Sequence, residues 1–315
     1  MLLVFFLQLI LPLFFIAWIA VAPLHSRLGF FCQMIGSAIA LFALALMGLW
    51  LFPPWWTPHV FAGLLAAVAV AGYRRRHPFK SWLPSGWQAW VFTAVFAFIG
   101  GWGADRSVRA LAGRVQQAGT AVELAFPLRG GDYLVVNGGS NIKVNQHLMT
   151  LDTTIARFQA FRGQSYGVDI VKLDGWGLRA NGLVPPEPNK YNIYGVSVYA
   201  PCSGQVIAAV DGLPDMPVPQ TDRQHMAGNH VLLRCNAADV LLGHFKPGSL
   251  KVRMDDAIAI GQAVGAVGNS GNTSEPHLHI HAQQRGTVTQ PFSGNPLPMR
   301  FDGRFLVRND RFISP

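Results

Sequence analysis

Apolar positions along the 315 residues follow two regimes. Up to about residue 104 they form long, nearly uninterrupted runs, covering 2–22, 30–52, 59–73 and 87–102. From Phe126 onward they break into short alternating segments separated by Gly, Pro, Asn and Asp. Side chains alternate faces along a strand, so the second pattern predicts half-buried β-strands at 132–136, 168–173, 196–200, 205–210, 230–234, 240–244 and 263–267. No long amphipathic helical pattern interrupts them, which points to an all-β domain.

The first pattern implies a different solvent. A bilayer core is crossed by about 20 apolar residues, and the four runs are of that order. Residues 2–22 lack a basic lead and a small-residue cleavage site, so the run reads as a retained segment and not a leader. Residues 59–73 are shorter and use Trp55 and Trp56 as interfacial anchors, while Trp87, Trp90 and Trp102 rim the fourth run. Cations fix the direction: Arg27 lies in the first loop, Arg74, Arg75, Arg76 and Lys80 in the third, and none between 52 and 59. By the positive-inside rule, loops one and three face the cytoplasm and everything after the fourth run lies outside it. The expected organisation is an α-helical anchor of about four transmembrane helices at 1–104, a linker at 105–125 carrying Arg106, Arg109 and Arg114, and an extracytoplasmic domain at 126–315.

The formal net charge is +9, from 25 Lys and Arg against 16 Asp and Glu. A short basic loop between spans is ordinary topology signal, so no nucleic-acid partner is expected. The runs carry no internal Asp, Glu, Lys or Arg of the kind that marks an ion pathway, which argues against a transporter. Three cysteines make no disulfide scaffold. Cys32 falls within an apolar run; Cys202 and Cys235 fall on predicted strands, and a bridge between them is left open.

Candidate chemistry concentrates at 268–281, GNSGNTSEPHLHIH. A turn of Gly268, Asn269, Ser270, Gly271 and Asn272 leads through Pro276 into an alternating segment, which places His277, His279 and His281 on one face of a strand. Neutral imidazole binds zinc, and neighbouring imidazoles can divide ligation from proton transfer. The plain alternative is a histidine-rich surface strand.

This stretch resembles the signature of the lysostaphin-type zinc metalloendopeptidases, which cut peptidoglycan, G-N-S/T-G-x-S-x-P-H-L-H-F/I. Further segments resemble the same family in the same order: VYAPCSGQVIAAVDG at 198–212, GNHVLL at 228–233, LLGHF at 241–245 and GQAVGAVG at 261–268. The likeness spans 126–284. It implies an all-β lysostaphin-type peptidase fold, a zinc cofactor, peptide cross-links of peptidoglycan as substrate, and the extracytoplasmic face of a bacterial cytoplasmic membrane as location. Residue by residue it implies His279 as a zinc ligand and His277 and His244 as catalytic histidines.

One departure stands out. Where the family has H-x-x-x-D, this chain has Ser165-Tyr166-Gly167-Val168-Asp169. Asp169 takes the ligand position, but a serine hydroxyl is a poor zinc ligand at neutral pH. Two substitutes are open: His147, expected on a neighbouring strand, and His281. His147 is favoured because the rise along the strand carries His281 past the ion. Without a substitute, the domain would be a catalytically inactive relative that binds wall peptide or regulates a partner hydrolase. The Gly- and Pro-rich segments 175–190 and 212–228 are expected to rim the groove.

Overall fold

The computed structural model describes residues 2–22, 26–76, 79–117, 119–236, 238–285 and 293–315. The chain divides into two compact units, Met1–Ala112 and Gly113–Pro315.

Unit one is helical. A short helix α1 (Leu2–Phe5) passes through a π-helical turn (Phe6–Ile10) into α2 (Leu11–Val21), followed by α3 (Arg27–Met47), α4 (Thr57–Arg76) and α5 (Trp87–Ala112). Ser26 caps α3, its Oγ accepting from Gly29 N at 3.1 Å. Glycines let α3 and α5 approach closely: a Cβ at Gly36 would collide with the Phe96 carbonyl, and one at Gly100 would lie 3.1 Å from Gly36 Cα. Trp18 Nε1 donates to Gln33 Oε1 at 2.6 Å, tying α2 to α3.

Each of the four expected runs carries a helix, with α3 ending at Met47 short of residue 52, but the expectation of about four transmembrane helices is corrected. Among the described residues, one helix, Arg27–Met47, is long and apolar enough to cross a membrane. Phe6–Val21 is apolar but shorter. Helix α4 begins with Thr57, Pro58 and His59 and ends with three arginines, and α5 is diluted by glycines and tryptophans and continues through Asp105, Arg106 and Arg109. Arg74, Arg75 and Arg76 therefore belong to the end of α4. His77 and Pro78 of the expected third loop, and Ala118 of the expected linker, lie outside the described residues.

Unit two is built on β-strands. They are β1 (Val122–Leu124), β2 (Gly131–Asn137), β3 (Val168–Leu173), β4 (Ser197–Tyr199), β5 (Gly204–Val210), β6 (Asn229–Cys235) and β7 (Ala238–Phe245). Then come β8 (Ala257–Ile258), β9 (Ala263–Ala266), β10 (Leu278–Gln283), β11 (Pro296–Leu297), β12 (Met299–Phe301) and β13 (Arg311–Ser314). Nine form one sheet in the order β13-β2-β3-β10-β7-β6-β5-β8, with β11 paired to β10. β4 pairs with β9, and β1 with β12. The expected strands are present, each within a few residues of the predicted bounds. Cys202 and Cys235 form a disulfide, with Cα atoms 6.0 Å apart.

The period of two separates core from chemistry. Val168 and Ile170 of β3, Val240 and Leu242 of β7, and Leu278, Ile280 and Ala282 of β10 all join the main hydrophobic core. The intervening residues, Asp169, Leu241, Gly243, His279 and His281, must therefore face the other side of the sheet. There Leu241 packs with Ile207, Leu232 and Ala227 in a smaller cluster. The core face holds three central strands rigidly, so the polar residues between its anchors have little freedom to move.

Candidate active site

The sheet register brings the first pair together. Antiparallel pairing of β10 with β3 sets His279 opposite Asp169, and pairing with β7 sets it opposite Gly243. His279 Nδ1 lies 2.8 Å from Asp169 Oδ1. A bulge between Val135 and Asn137 brings Asn137 level with Asp169, and its Nδ2 donates to Asp169 Oδ2 at 2.9 Å. Asn137 Oδ1 in turn accepts from the buried guanidinium of Arg308 at 2.7 Å.

His147 reaches the same carboxylate from elsewhere. It was expected on a strand, but it sits on a 3-10 turn (Gln146–Leu151), because Asn145 caps that turn by accepting from His147 N with its side chain. Its Nε2 lies 3.4 Å from Asp169 Oδ2. The candidate ligand atoms of His147, Asp169 and His279 all lie within 4.8 Å of one another. Gly167 makes this possible, since a Cβ there would lie 2.8 Å from His279 Cε1 and 3.3 Å from His147 Nδ1.

Ser165 is fully buried and occupied elsewhere. Its Oγ donates to the Arg162 carbonyl at 2.6 Å and contacts Thr150 Oγ1 at 2.7 Å. Thr150 Oγ1 also donates to the His147 carbonyl at 2.7 Å. The position where the family pattern carries a histidine thus braces the turn that supplies one. His281 lies behind His279, with its Nδ1 2.9 Å from His279 Nε2, on the ring edge opposite the one facing Asp169.

Two further imidazoles stand beside this cluster. In the pairing of β6 with β7, Val231 aligns with Leu242 and Asn229 with Phe245, so Gly243 and His244 face a single residue. That bulge puts His244 in the left-handed region at φ 65, which turns its side chain toward His277, with ring centroids 4.8 Å apart. His244 Nδ1 lies 2.8 Å from the Ser270 carbonyl, and His277 Nδ1 lies 2.9 Å from the Glu275 carbonyl. Carbonyl oxygens only accept, so both rings carry their proton on Nδ1 and keep Nε2 as a base. His277 Nε2 lies 3.6 Å from Asp169 Oδ1.

Electrostatics suit a cation. Burial would raise the Asp169 carboxyl, but the imidazoles of His147 and His277 and the hydrogen bond from His279 outweigh it and hold it well below the usual carboxylate range. Burial pushes His147 down to about 4, against the pull of the Asp169 carboxylate. Burial, with His277 and His279 nearby, also holds His244 well below its ordinary value. The carboxylate is ionised and these imidazoles are neutral at neutral pH, the protonation states in which such groups ligate a metal. Two imidazoles and one carboxylate are a donor set that suits zinc.

A cavity of about 220 Å³ opens on the cluster, lined by His147, Asp169, His244, His277 and His279 with Gln164, Met226, Ala227, Asn272, Thr273 and Ser274. Segment 212–228 supplies Met226 and Ala227, whereas 175–190 supplies none of its lining among the described residues. From that second segment the buried Arg179 instead holds Glu275 in an ion pair at 2.8 Å, two residues before His277. Asn137, Asn145 and Arg308 had no signal in the sequence.

No curated protein matches the chain. The catalytic domain of lysostaphin from Staphylococcus simulans is 22% identical over 40% of this chain and 71% of that one, with a TM-score of 0.26. A zinc containing peptidase from Vibrio cholerae is 18% identical over 36% of this chain and 35% of that one, with a TM-score of 0.23. A mutant catalytic domain of the prophage-encoded M23 protein EnpA from Enterococcus faecalis is 25% identical over 34% of this chain and 81% of that one, with a TM-score of 0.19. The family itself is given by sequence: residues 191–291 match the model of Peptidase family M23, a segment that takes in His244, His277 and His279 and begins after His147 and Asp169. The chain carries a domain of peptidase family M23, the lysostaphin-type peptidases.

Proposed function

We propose that the protein is a membrane-anchored zinc metalloendopeptidase that cleaves peptide cross-links of peptidoglycan. The observation that carries this reading is the approach of His147, Asp169 and His279 to within 4.8 Å of one another, beside two further imidazoles and an open cavity. Zinc held by His147, Asp169 and His279 would polarise a scissile carbonyl and acidify a water. His244 and His277, with Nδ1–H tied to backbone carbonyls, offer Nε2 to take a proton from the attacking water and return one to the leaving amine. Asn137, backed by Arg308, holds Asp169 in place.

Helix α3 is the proposed anchor. The Cys202–Cys235 disulfide supports a domain in an oxidising compartment, outside the cytoplasm. A lipid bilayer and wall peptides are then the partners, and no nucleic acid is among them.

The test is incubation of the purified full chain with isolated cell wall, with and without a chelator. Chelator-sensitive release of peptide is expected. Release that the chelator leaves unchanged would refute the metal chemistry. Ser165 motivates a second reading, a domain that binds wall peptide without cutting it, for which retention on the wall with no release is the signature.

A further inference from the structure

We propose that Asn145 is a positioning residue of the metal centre: its carboxamide fixes the tautomer of His147 and so aims the Nε2 lone pair at the site. This rests on the metal-centre reading above, and it deepens that reading by naming what allows a histidine outside the family's first motif to serve as a ligand.

Asn145 is fully buried. Its Nδ2 donates to two carbonyls, Gly139 O at 3.2 Å and Gly167 O at 3.1 Å. Carbonyls only accept, so the amide nitrogen must face them and Oδ1 must face the other way. On that side Oδ1 accepts from His147 N at 3.1 Å and lies 3.1 Å from His147 Nδ1. A carboxamide oxygen has no proton to give. The hydrogen of this second contact therefore sits on the imidazole, at Nδ1, and a neutral ring protonated at Nδ1 has its lone pair at Nε2. Nε2 is the atom 3.4 Å from Asp169 Oδ2.

The same side chain joins two pieces of backbone that flank the site. Gly139 follows β2, and Gly167 immediately precedes β3, where it packs against both ligand imidazoles. Asn145 thus sets the ring's tautomer, the start of the turn that carries it and the wall it leans on. Thr150 and Ser165 brace the turn through the His147 carbonyl, and the Gly167 backbone adds a further contact to the imidazole. Outer partners that orient a ligating histidine are usually worth about 10- to 100-fold in metal affinity.

The decisive measurement is made on the unaltered protein, with one variant used only to assign a signal. Imidazole-nitrogen NMR on the metal-free full chain in detergent, with histidines labelled and His147 identified from the signal lost in His147→Gln, reads the tautomer directly. Protonation at Nδ1 is expected; protonation at Nε2 overturns the proposal. In a second arm, zinc affinity is read by competition with a chromophoric chelator. Asn145→Ala should weaken zinc by about 10- to 100-fold and lose the Nδ1–H signature. Asn145→Asp, which keeps an acceptor facing Nδ1–H, should restore the signature and part of the affinity. Unchanged zinc affinity in Asn145→Ala overturns the proposal. If the unaltered protein takes up no zinc while His147 still carries its proton on Nδ1, the metal-centre reading falls and the tautomer assignment stands, so the two failures are distinct.

Discussion

Asp169 and His279 are register partners across the β3–β10 ladder, and 2.8 Å separates their facing Oδ1 and Nδ1 atoms although 110 residues separate them along the chain. Strands anchored by Val168, Ile170, Leu278 and Ile280 in the core hold this contact, so it does not depend on loop order. In the metal-free protein the carboxylate accepts a proton-bearing Nδ1. Zinc binding there would require the neutral ring to carry its hydrogen on Nε2, which lies 2.9 Å from His281 Nδ1.

His147→Gln tests the relocated ligand. Zinc affinity should fall by more than the ~10- to 100-fold typical of losing an outer partner. Ser165→His should not restore it, because the Ser165 side chain is enclosed and directed to Arg162 and Thr150. Zinc content equal to that of the unaltered protein in His147→Gln would remove His147 from the centre.

His244→Gln and His277→Gln separate proton transfer from ligation. Each should slow wall cleavage by roughly 10²- to 10⁴-fold, the usual scale of general acid–base catalysis, while the full zinc content is kept. Loss of zinc in either variant would instead place that histidine among the ligands.

Acid should destabilise the metal-free domain well above the carboxylate range. Burial holds His147 at about 4 in the fold against an ordinary 6.5, and His244 and His281 are also held low. Between those pH values the unfolded chain binds protons that the folded chain refuses, so unfolding free energy falls as pH drops from about 6.5 toward 4. For His147 alone the loss is on the order of 3 kcal/mol at the lower end. Asp169 acts in the other window: its depressed carboxyl adds stability above 3.8 that is lost only below it. Amide exchange in β7 and β10, corrected for intrinsic rates, should accelerate over the histidine window. A flat profile there would contradict the buried neutral imidazoles.

Reduction of the Cys202–Cys235 disulfide releases a loop of sequence separation 33. Loop-closure entropy puts the cost at about 3–4 kcal/mol. Exchange protection in β5 and β6 should drop by a corresponding amount under reductant, and Cys202→Ser should reproduce the effect without reductant. Equal protection in both redox states would show that the bridge adds nothing.

The sequence by itself determined the strands and the placement of His279 and His281 on one face of their strand. Strand alternation is a local property with a period of two, and it is written directly into runs such as Leu278-His279-Ile280-His281. His244 and His277 were singled out because each lies within a short motif that resembles the family's. Helix was equally legible in the first 104 residues, but the four membrane crossings were not secured, since apolar runs fix helix more firmly than they fix span length. Only the tertiary structure decided that a 3-10 turn delivers His147 to Asp169, that Ser165 is turned into the protein, and that Asn137, Asn145 and Arg308 stand behind Asp169 and His147. Those contacts join segments with no common period and no shared motif. They exist because core packing fixes the sheet register, and a register between distant strands cannot be read from either strand alone.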